Sequence, residues 1–165
     1  MTTPRIEDLV DISKYRYVWP YAGNIVLTSM GEVHIPRGML ADGATGVPDR
    51  CPVAWFAHDR LYVRPVVTLP LLGVERRLTK REVDSIYREL LSRNGHAILG
   101  LIREAGLQWF PVTSHISRSM WERARAAEAA DPEGWVLAHQ VPASRNWHFP
   151  SIYTRDAVWI GDCAA

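Results

Sequence analysis

The chain has 165 residues, 47% of them hydrophobic and 22% charged, which suits one folded domain with a core and excludes a disordered polymer. Its formal net charge of +1 lacks the strongly basic balance of a nucleic-acid-binding protein, so we expect no nucleic-acid partner. No apolar run reaches the ~18 residues that a membrane-spanning helix needs. The polar N-terminus has no signal-peptide core, so we expect synthesis in a cytoplasm.

The first third of the chain carries β signals followed by a loop. Residues 15–35 contain the strand-like runs YRYVW, NIVLTS and EVHIP, with a turn at Met30-Gly31. The stretch RGMLADGATGVPDR is rich in Gly, Asp and Pro and is typical of a loop. Pro52 is placed to begin a helix that runs to about Val63. The stretch RPVVTLPLLGVERR then predicts a connector or a short hairpin.

The next helix has the clearest start signal in the sequence. Thr79 and Glu82 have the spacing of a capping box, in which each side chain accepts a hydrogen bond from a backbone N–H of the other residue. Gly95 is placed to end the helix. Between these signals, apolar residues recur at helical spacing at Val83, Ile86, Tyr87, Leu90 and Leu91.

Two further helices are predicted from apolar residues at helical spacing. The first covers about 97–106 and carries the stripe Ile98, Leu101 and Ile102. The second covers about 115–130 and places on one face Ile116, Met120, Ala124 and Ala127. Its ERARAAEAA stretch is typical of a solvated helix face with ion pairs.

A C-terminal extension over 131–165 follows the Asp131-Pro132 pair, which stops the preceding helix. It holds three tryptophans and three prolines, so we expect an irregular or β-containing, Trp-rich segment that wraps the domain or meets a partner. Residues 1–130 are predicted to form an α+β domain, a small N-terminal β region followed by a helical core with two antiparallel helices. Cys51 and Cys163 match no metal or redox motif and are expected to be reduced.

The stretch AWFAHDRLY places two ionisable residues, His58 and Asp59, inside an apolar run. On a helix, His58 shares the face of Leu61 and Tyr62, which should point inward, so its imidazole needs a buried acceptor. Asp84 lies on the apolar face of the capped helix. Packing two antiparallel helices on these faces would bring Asp84 to His58.

Such a pair is the arrangement of a general base oriented by a carboxylate, with water as the nucleophile. Asp59 points to another side of its helix and is available to bind a cation. Oxygen ligands for a hard cation such as calcium could also come from the preceding loop, at Asp42, Gly43 and Gly46. The alternative is that His58 and Asp84 only hold two helices together.

Three stretches in order, HIPRGMLADGATGVP, VAWFAHDRLY and EVDSIYRELL, resemble the DUF1353 family of phage and prophage proteins. The resemblance runs from about Tyr15 to Gly106, more than half of the chain. It implies a virion or tail-assembly component with other phage structural proteins as partners. The expected location is then the host cytoplasm, followed by the virion.

A glycine-rich loop, a helix bearing HDxxY and a second helix bearing an aspartate are also similar to phospholipase A2, over Asp42 to Leu91. This resemblance implies that His58 activates water and that Asp84 orients His58. It also implies a hydrogen bond from Tyr62 to Asp84. The calcium ligands that it implies are Asp59, Asp42 and the carbonyls of Gly43 and Gly46.

Two functions are therefore expected from the sequence. One is a phage virion component, in the tail or in assembly, built on a phospholipase A2-like fold. The other is a calcium-dependent phospholipid ester hydrolase that works at a membrane surface with a His58-Asp84 dyad.

Overall fold

The computed structural model describes residues 17–19, 24–41 and 50–140, and these show an α+β fold. Within these ranges, two antiparallel sheets are formed mainly by the N-terminal part and five helices follow or interrupt them. The strands are β1 (Tyr17–Val18), β2 (Asn24–Thr28), β3 (Gly31–Ile35), β4 (Leu40–Ala41), β5 (Val66–Leu69) and β6 (Val74–Arg77). The helices are α1 (Pro52–Val63), α2 (Lys80–Arg93), α3 (Ala97–Trp109), α4 (Pro111–Ala130) and α5 (Pro132–Ala138).

The main sheet has the strand order β2-β3-β5-β6, with every neighbouring pair antiparallel. Gly31 begins β3 with φ +134°, and a Cβ there would lie 2.8 Å from the carbonyl oxygen of Thr68. Only glycine fits this close approach of β3 to β5. The stretch between α1 and α2, predicted as a connector or short hairpin, is the β5–β6 hairpin. The strands β1 and β4 form a separate small sheet.

The helices α1 and α2 pack against each other and hold the centre of the core. Pro52 begins α1 and Val63 ends it, as the sequence predicts. The capping box of Thr79 and Glu82 is present in both directions at the start of α2. The five apolar residues that predict α2 are all buried. Gly95 follows the end of α2 with φ +78°, a backbone conformation that favours glycine.

The helices α3 and α4 are longer than predicted. The faces through which they pack are not the apolar faces that the sequence predicts. The stripe of Ile98, Leu101 and Ile102 on α3 is exposed. The buried position of α3 is Gly100, where an added Cβ would lie 3.3 Å from the Cγ atom of Arg88 on α2. A small residue here lets the two helices approach closely.

The start of the C-terminal extension differs from the prediction. Residues 132–138 form α5 rather than an irregular segment, because Asp131 caps the helix by accepting a hydrogen bond from the N–H of Gly134 at 3.0 Å. The extension beyond 140 lies outside the described residues. Cys51 is buried and disulfide-bonded, so the expectation of a reduced thiol is wrong for this residue. Cys163 lies outside the described residues.

Candidate active site

The predicted pair of His58 and Asp84 is present. The Nε2 atom of His58 on α1 lies 3.1 Å from the Oδ1 atom of Asp84 on α2. The side chain of His58 is 12% exposed and its ring lies between two tyrosine rings, 4.6 Å from Tyr62 and 4.9 Å from Tyr87. The packing of α1 on α2 therefore places an imidazole and a carboxylate together at the edge of the core.

Two basic side chains also contact the carboxylate of Asp84. Lys80, one turn earlier on α2, donates to Oδ2 at 2.6 Å, and Arg103 of α3 donates to Oδ1 at 3.3 Å. Burial by itself raises the pKa of Asp84. The hydrogen bond and charge of His58, the hydrogen bond of Lys80 and the charge of Arg103 outweigh burial and hold this pKa well below its ordinary value. Asp84 is therefore ionised at neutral pH.

The contacts of His58 define which ring nitrogen is available for chemistry. Its Nε2 atom also lies 3.2 Å from the Nη2 atom of Arg103. Arginine is only a donor, so Nε2 cannot both accept from Arg103 and donate to Asp84. We assign the proton to Nε2, because a hydrogen bond to an ionised carboxylate is the stronger of the two. The unprotonated Nδ1 then lies 3.6 Å from the Oδ1 atom of Asp59.

The hydroxyl of Tyr62 has a different partner from the predicted one. The phospholipase A2 resemblance implies a bond to Asp84, but the hydroxyl lies 3.2 Å from the Oγ atom of Ser117 on α4. Trp121, one turn further along α4, contacts the Tyr62 ring edge to face at 5.2 Å. Tyr62 therefore joins α1 to α4 and supports the imidazole of His58 by ring contact.

Of the predicted calcium ligands, only Asp59 lies among the described residues. Asp42, Gly43 and Gly46 lie outside the described residues. Within the described ranges, no group of three or more His, Cys, Asp or Glu side chains is arranged to hold a metal ion. Asp84 is unsuited to join such a site, because His58, Lys80 and Arg103 already contact its two oxygens. The described residues alone do not make up the calcium site.

A cavity of about 1170 Å³ lies beside the imidazole of His58. This volume is slightly above the ~300–1,000 Å³ typical of ligand pockets. His58, Asp59 and Arg103 contribute polar groups to its wall. Most of the remaining wall is apolar and comes from α3, α4 and their neighbours, at Leu40, Val63, Ile102, Leu107, Trp109, Phe110, Ile116, Met120 and Ala124. Arg123 and His139 also line it. A ligand in this cavity therefore has mainly apolar surroundings with a few ionisable groups among them.

The second half of α4 fixes the wall of this cavity to the end of α1. Arg125 donates to the carbonyl oxygens of Tyr62 and, at 3.0 Å, of Val63. The indole N–H of Trp135 on α5 donates to the same Val63 carbonyl at 2.9 Å. Glu128 is buried and accepts from Arg125 at 2.6 Å. The ERARAAEAA stretch is therefore not simply the solvated face that the sequence predicts, since Arg125 and Glu128 face inward.

Three residues of the site were missed by sequence reasoning. Lys80 stands four residues before Asp84 on one helix, a spacing that predicts an ion pair and that was available from the sequence. Arg103 reaches Asp84 because Gly100 brings α3 close to α2, which no local pattern predicts. Ser117 reaches Tyr62 only through the packing of α4 on α1.

No family model, curated protein or solved structure matches this chain. The resemblances to DUF1353 and to phospholipase A2 therefore rest on the sequence stretches that carry them. Among the described residues, no helix has both the length and the apolar character needed to cross a membrane.

Proposed function

We propose that this protein hydrolyses carboxylic esters that carry a long apolar chain, with His58 as the general base. The observation that carries the proposal is the position of the dyad. His58 lies 3.1 Å from an ionised Asp84 and lines a large, mostly apolar cavity. The phospholipase A2 resemblance adds phospholipids as the expected substrate class.

In the proposed reaction, His58 moves a proton from water to the leaving alcohol. The Nδ1 atom of His58 takes a proton from a water molecule, and the resulting hydroxide attacks the ester carbonyl carbon. The tetrahedral intermediate collapses, the bond to the alcohol oxygen breaks, and the alcohol leaves with the proton from Nδ1. Asp84 holds the proton on Nε2 throughout and stabilises the imidazolium between the two transfers. Asp59, 3.6 Å from Nδ1, accepts a hydrogen bond from the same water.

Calcium, if bound, would be held by Asp59 with Asp42, Gly43 and Gly46, as the resemblance implies, and would polarise the ester carbonyl. The described residues alone do not form this site, so no step above depends on the ion. The experiment therefore measures the reaction both with calcium and without it.

The test measures fatty-acid release from mixed phospholipid vesicles, with added calcium and with EDTA. We expect release by the wild type and a loss on the order of 10²–10⁴ in rate for His58→Ala, because a general base contributes about this much. The rate of release by Asp84→Asn should also fall, since an amide does not fix the imidazole tautomer. His34→Ala is the matched control, because His34 is an exposed histidine on β3.

Circular dichroism and thermal melting show whether each variant is folded. Release by the wild type that persists in folded His58→Ala would contradict the assignment of the base. No release by the wild type in either calcium arm would contradict the ester hydrolase itself.

A second candidate function, a phage virion component, is favoured by a different feature. The tip of the β5–β6 hairpin exposes two adjacent leucines, Leu71 at 99% and Leu72 at 71%. Exposed apolar side chains at a hairpin tip suit lasting contact with a partner protein. The expected partners are other phage structural proteins, as the DUF1353 resemblance implies.

The test is mass spectrometry of purified virions. We expect the chain to be present in the particles, and we expect Leu71→Asp combined with Leu72→Asp to remove it while a thermal melt stays unchanged. Absence of the wild-type chain from virions would contradict this candidate.

A further inference from the structure

One cation in the cavity wall keeps hydrogen-bond donors that the described residues do not use. Arg103 of α3 lines the cavity, and its side chain is 12% exposed. Its contacts with His58 and Asp84, at 3.2 and 3.3 Å, are both made by the Nη2 atom, and its guanidinium lies 4.8 Å from the centre of the Tyr87 ring. Its Nε and Nη1 atoms make no hydrogen bond to a described residue. Arg103 is therefore held in place with donors left for a ligand.

The charges near Arg103 favour an anionic ligand. Asp84 carries one negative charge and accepts hydrogen bonds from both Lys80 and Arg103, so these three side chains leave one positive charge in excess. The described wall of the cavity adds a further cation, Arg123, and a carboxylate, Asp59, which balance each other. Asp59 lies beside the other imidazole nitrogen from the one that Arg103 contacts. An anion beside Arg103 would therefore balance the excess charge.

The rest of the cavity suits an alkyl chain. Its wall runs along α3 and α4 and is mostly apolar, with side chains that include Ile102, Leu107, Phe110, Ile116 and Met120. Its volume of about 1170 Å³ leaves room for a chain of many carbons. Each methylene group that such a wall removes from water favours binding.

We propose that this cavity binds a long-chain carboxylate, a fatty acid anion, with its carboxylate on Arg103 and its alkyl chain along the apolar wall. The planar guanidinium matches the geometry of a carboxylate, and a charge-assisted hydrogen bond is stronger in a site that is mostly removed from water. The proposal goes beyond ester hydrolysis and does not depend on it, because the ligand contains no ester bond. If both hold, the acid released by hydrolysis is itself a ligand and should inhibit the reaction.

The first test compares twelve-carbon ligands that differ only in the head group, by titration calorimetry and tryptophan fluorescence of the full chain at neutral pH. Each ligand is kept below the concentration at which it forms micelles. We expect one dodecanoate per chain, bound on the order of tenfold or more tighter than 1-dodecanol, because a hydrogen bond to a charged group is worth at least this factor. Dodecyltrimethylammonium should bind more weakly than 1-dodecanol.

Three results with the wild type alone would overturn the proposal. The first is no binding of dodecanoate by either method, and the second is equal binding of dodecanoate and 1-dodecanol. The third is dodecyl phosphate that binds on the order of tenfold or more tighter than dodecanoate, which would assign the site to a phosphate head group instead.

The second test removes the charge that the proposal invokes. Arg103→Gln should bind dodecanoate and 1-dodecanol about equally, because the guanidinium is lost while the apolar wall is kept. Arg118→Gln is the matched control, since Arg118 is exposed on α4 and does not line the cavity, and it should keep the preference for dodecanoate. Circular dichroism checks that each variant is folded. A preference that survives in folded Arg103→Gln would contradict the proposed head-group site.

The third test changes the wall and leaves the charges as they are. Ile116→Gln combined with Met120→Gln should weaken dodecanoate and 1-dodecanol by similar factors, because both side chains line the cavity. These side chains are about half exposed, at 52% and 45%, so the fold does not depend on them. Val112→Gln, an exposed apolar position of the same helix that does not line the cavity, should leave both affinities unchanged. Unchanged binding by the double variant would place the alkyl chain elsewhere and overturn the proposal.

Discussion

The helices α2, α3 and α4 all carry apolar residues at helical spacing in the sequence, but only the apolar face of α2 is buried in the structure. In α2, the five apolar residues that repeat at helical spacing are all buried against α1 and the sheet. In α3, the apolar stripe is exposed, and the helix packs through Gly100. In α4, Ile116 and Met120 are exposed, whereas Ala124 and Glu128 are buried.

This difference shows that apolar spacing in the sequence identifies a helix but does not identify which element packs on its apolar face. The apolar face of α2 meets α1, which also brings His58 to Asp84. The apolar faces of α3 and α4 line and border the cavity beside that pair. The pair α1–α2 therefore supplies the His58–Asp84 dyad, and the pair α3–α4 supplies most of the apolar wall together with Arg103.

The largest expected effect is a difference in stability between the buried apolar face of α2 and the exposed apolar face of α4. Ile86→Ala should lower the free energy of unfolding by about 2–5 kcal/mol, because Ile86 is fully buried and its removal leaves a cavity. Ile116→Ala should change it by less than about 0.5 kcal/mol, the usual range for surface substitutions. Urea denaturation measures both. Similar losses in the two variants would contradict the contrast between α2 and α4.

The next effect concerns the one part of α4 that does bury polar groups. Glu128→Gln should lower the free energy of unfolding by about 2–3 kcal/mol, because Arg125 and Arg77 lose a buried charged partner. Glu122→Gln, at an exposed position of the same helix, is the control. Thermal melting and urea denaturation measure the stability of both variants. An equal loss in Glu128→Gln and Glu122→Gln would show that α4 is not anchored through Glu128.

The pH dependence of stability tests the charge network around Asp84. Its native pKa lies below the ordinary value of 3.8, so the unfolded chain binds the proton more readily and stability falls as pH drops through that value. Asp84→Asn should cost about 1–2 kcal/mol at pH 7, where the carboxylate is ionised and bonded to His58, Lys80 and Arg103.

This difference between wild type and Asp84→Asn should shrink as pH falls below 3.8, because the unfolded wild-type chain then takes up a proton that the native carboxylate does not. It disappears at still lower pH, once the native carboxyl is protonated too. Urea denaturation over a pH series measures the two curves. A difference that stays constant from neutral to acidic pH would mean that Asp84 acts by packing and not by charge.

The smallest effect compares two glycines of α3. Gly106→Ala should raise stability by up to about 1 kcal/mol, because alanine is the better helix former and the added Cβ meets no atom of the described residues within 4 Å, apart from its own helix neighbours. Gly100→Ala should gain less, since its Cβ meets the Arg88 side chain at 3.3 Å. Thermal melting of the two variants decides this, and a larger gain at Gly100 would contradict the close approach of α3 to α2.

Local sequence signals determined much of the fold and part of the reason why His58 and Asp84 pair. Pro52 and the capping box of Thr79 and Glu82 mark helix starts through backbone chemistry within one turn, so α1 and α2 begin where the sequence predicts. The positions of His58 and Asp84 on inward helix faces follow from the 3.6-residue period. A buried imidazole then requires an acceptor, and this requirement predicts the pairing.

Tertiary structure alone decided the rest of the site. Helical spacing gives the angle of a side chain about its own axis and says nothing about which helix lies opposite. For this reason Tyr62 meets Ser117, 55 residues away, instead of Asp84. Arg103 reaches the dyad for a similar reason, because α3 packs through a glycine and not through its apolar stripe. The apolar residues left over from that packing became the wall of a cavity, an outcome that no single helix determines.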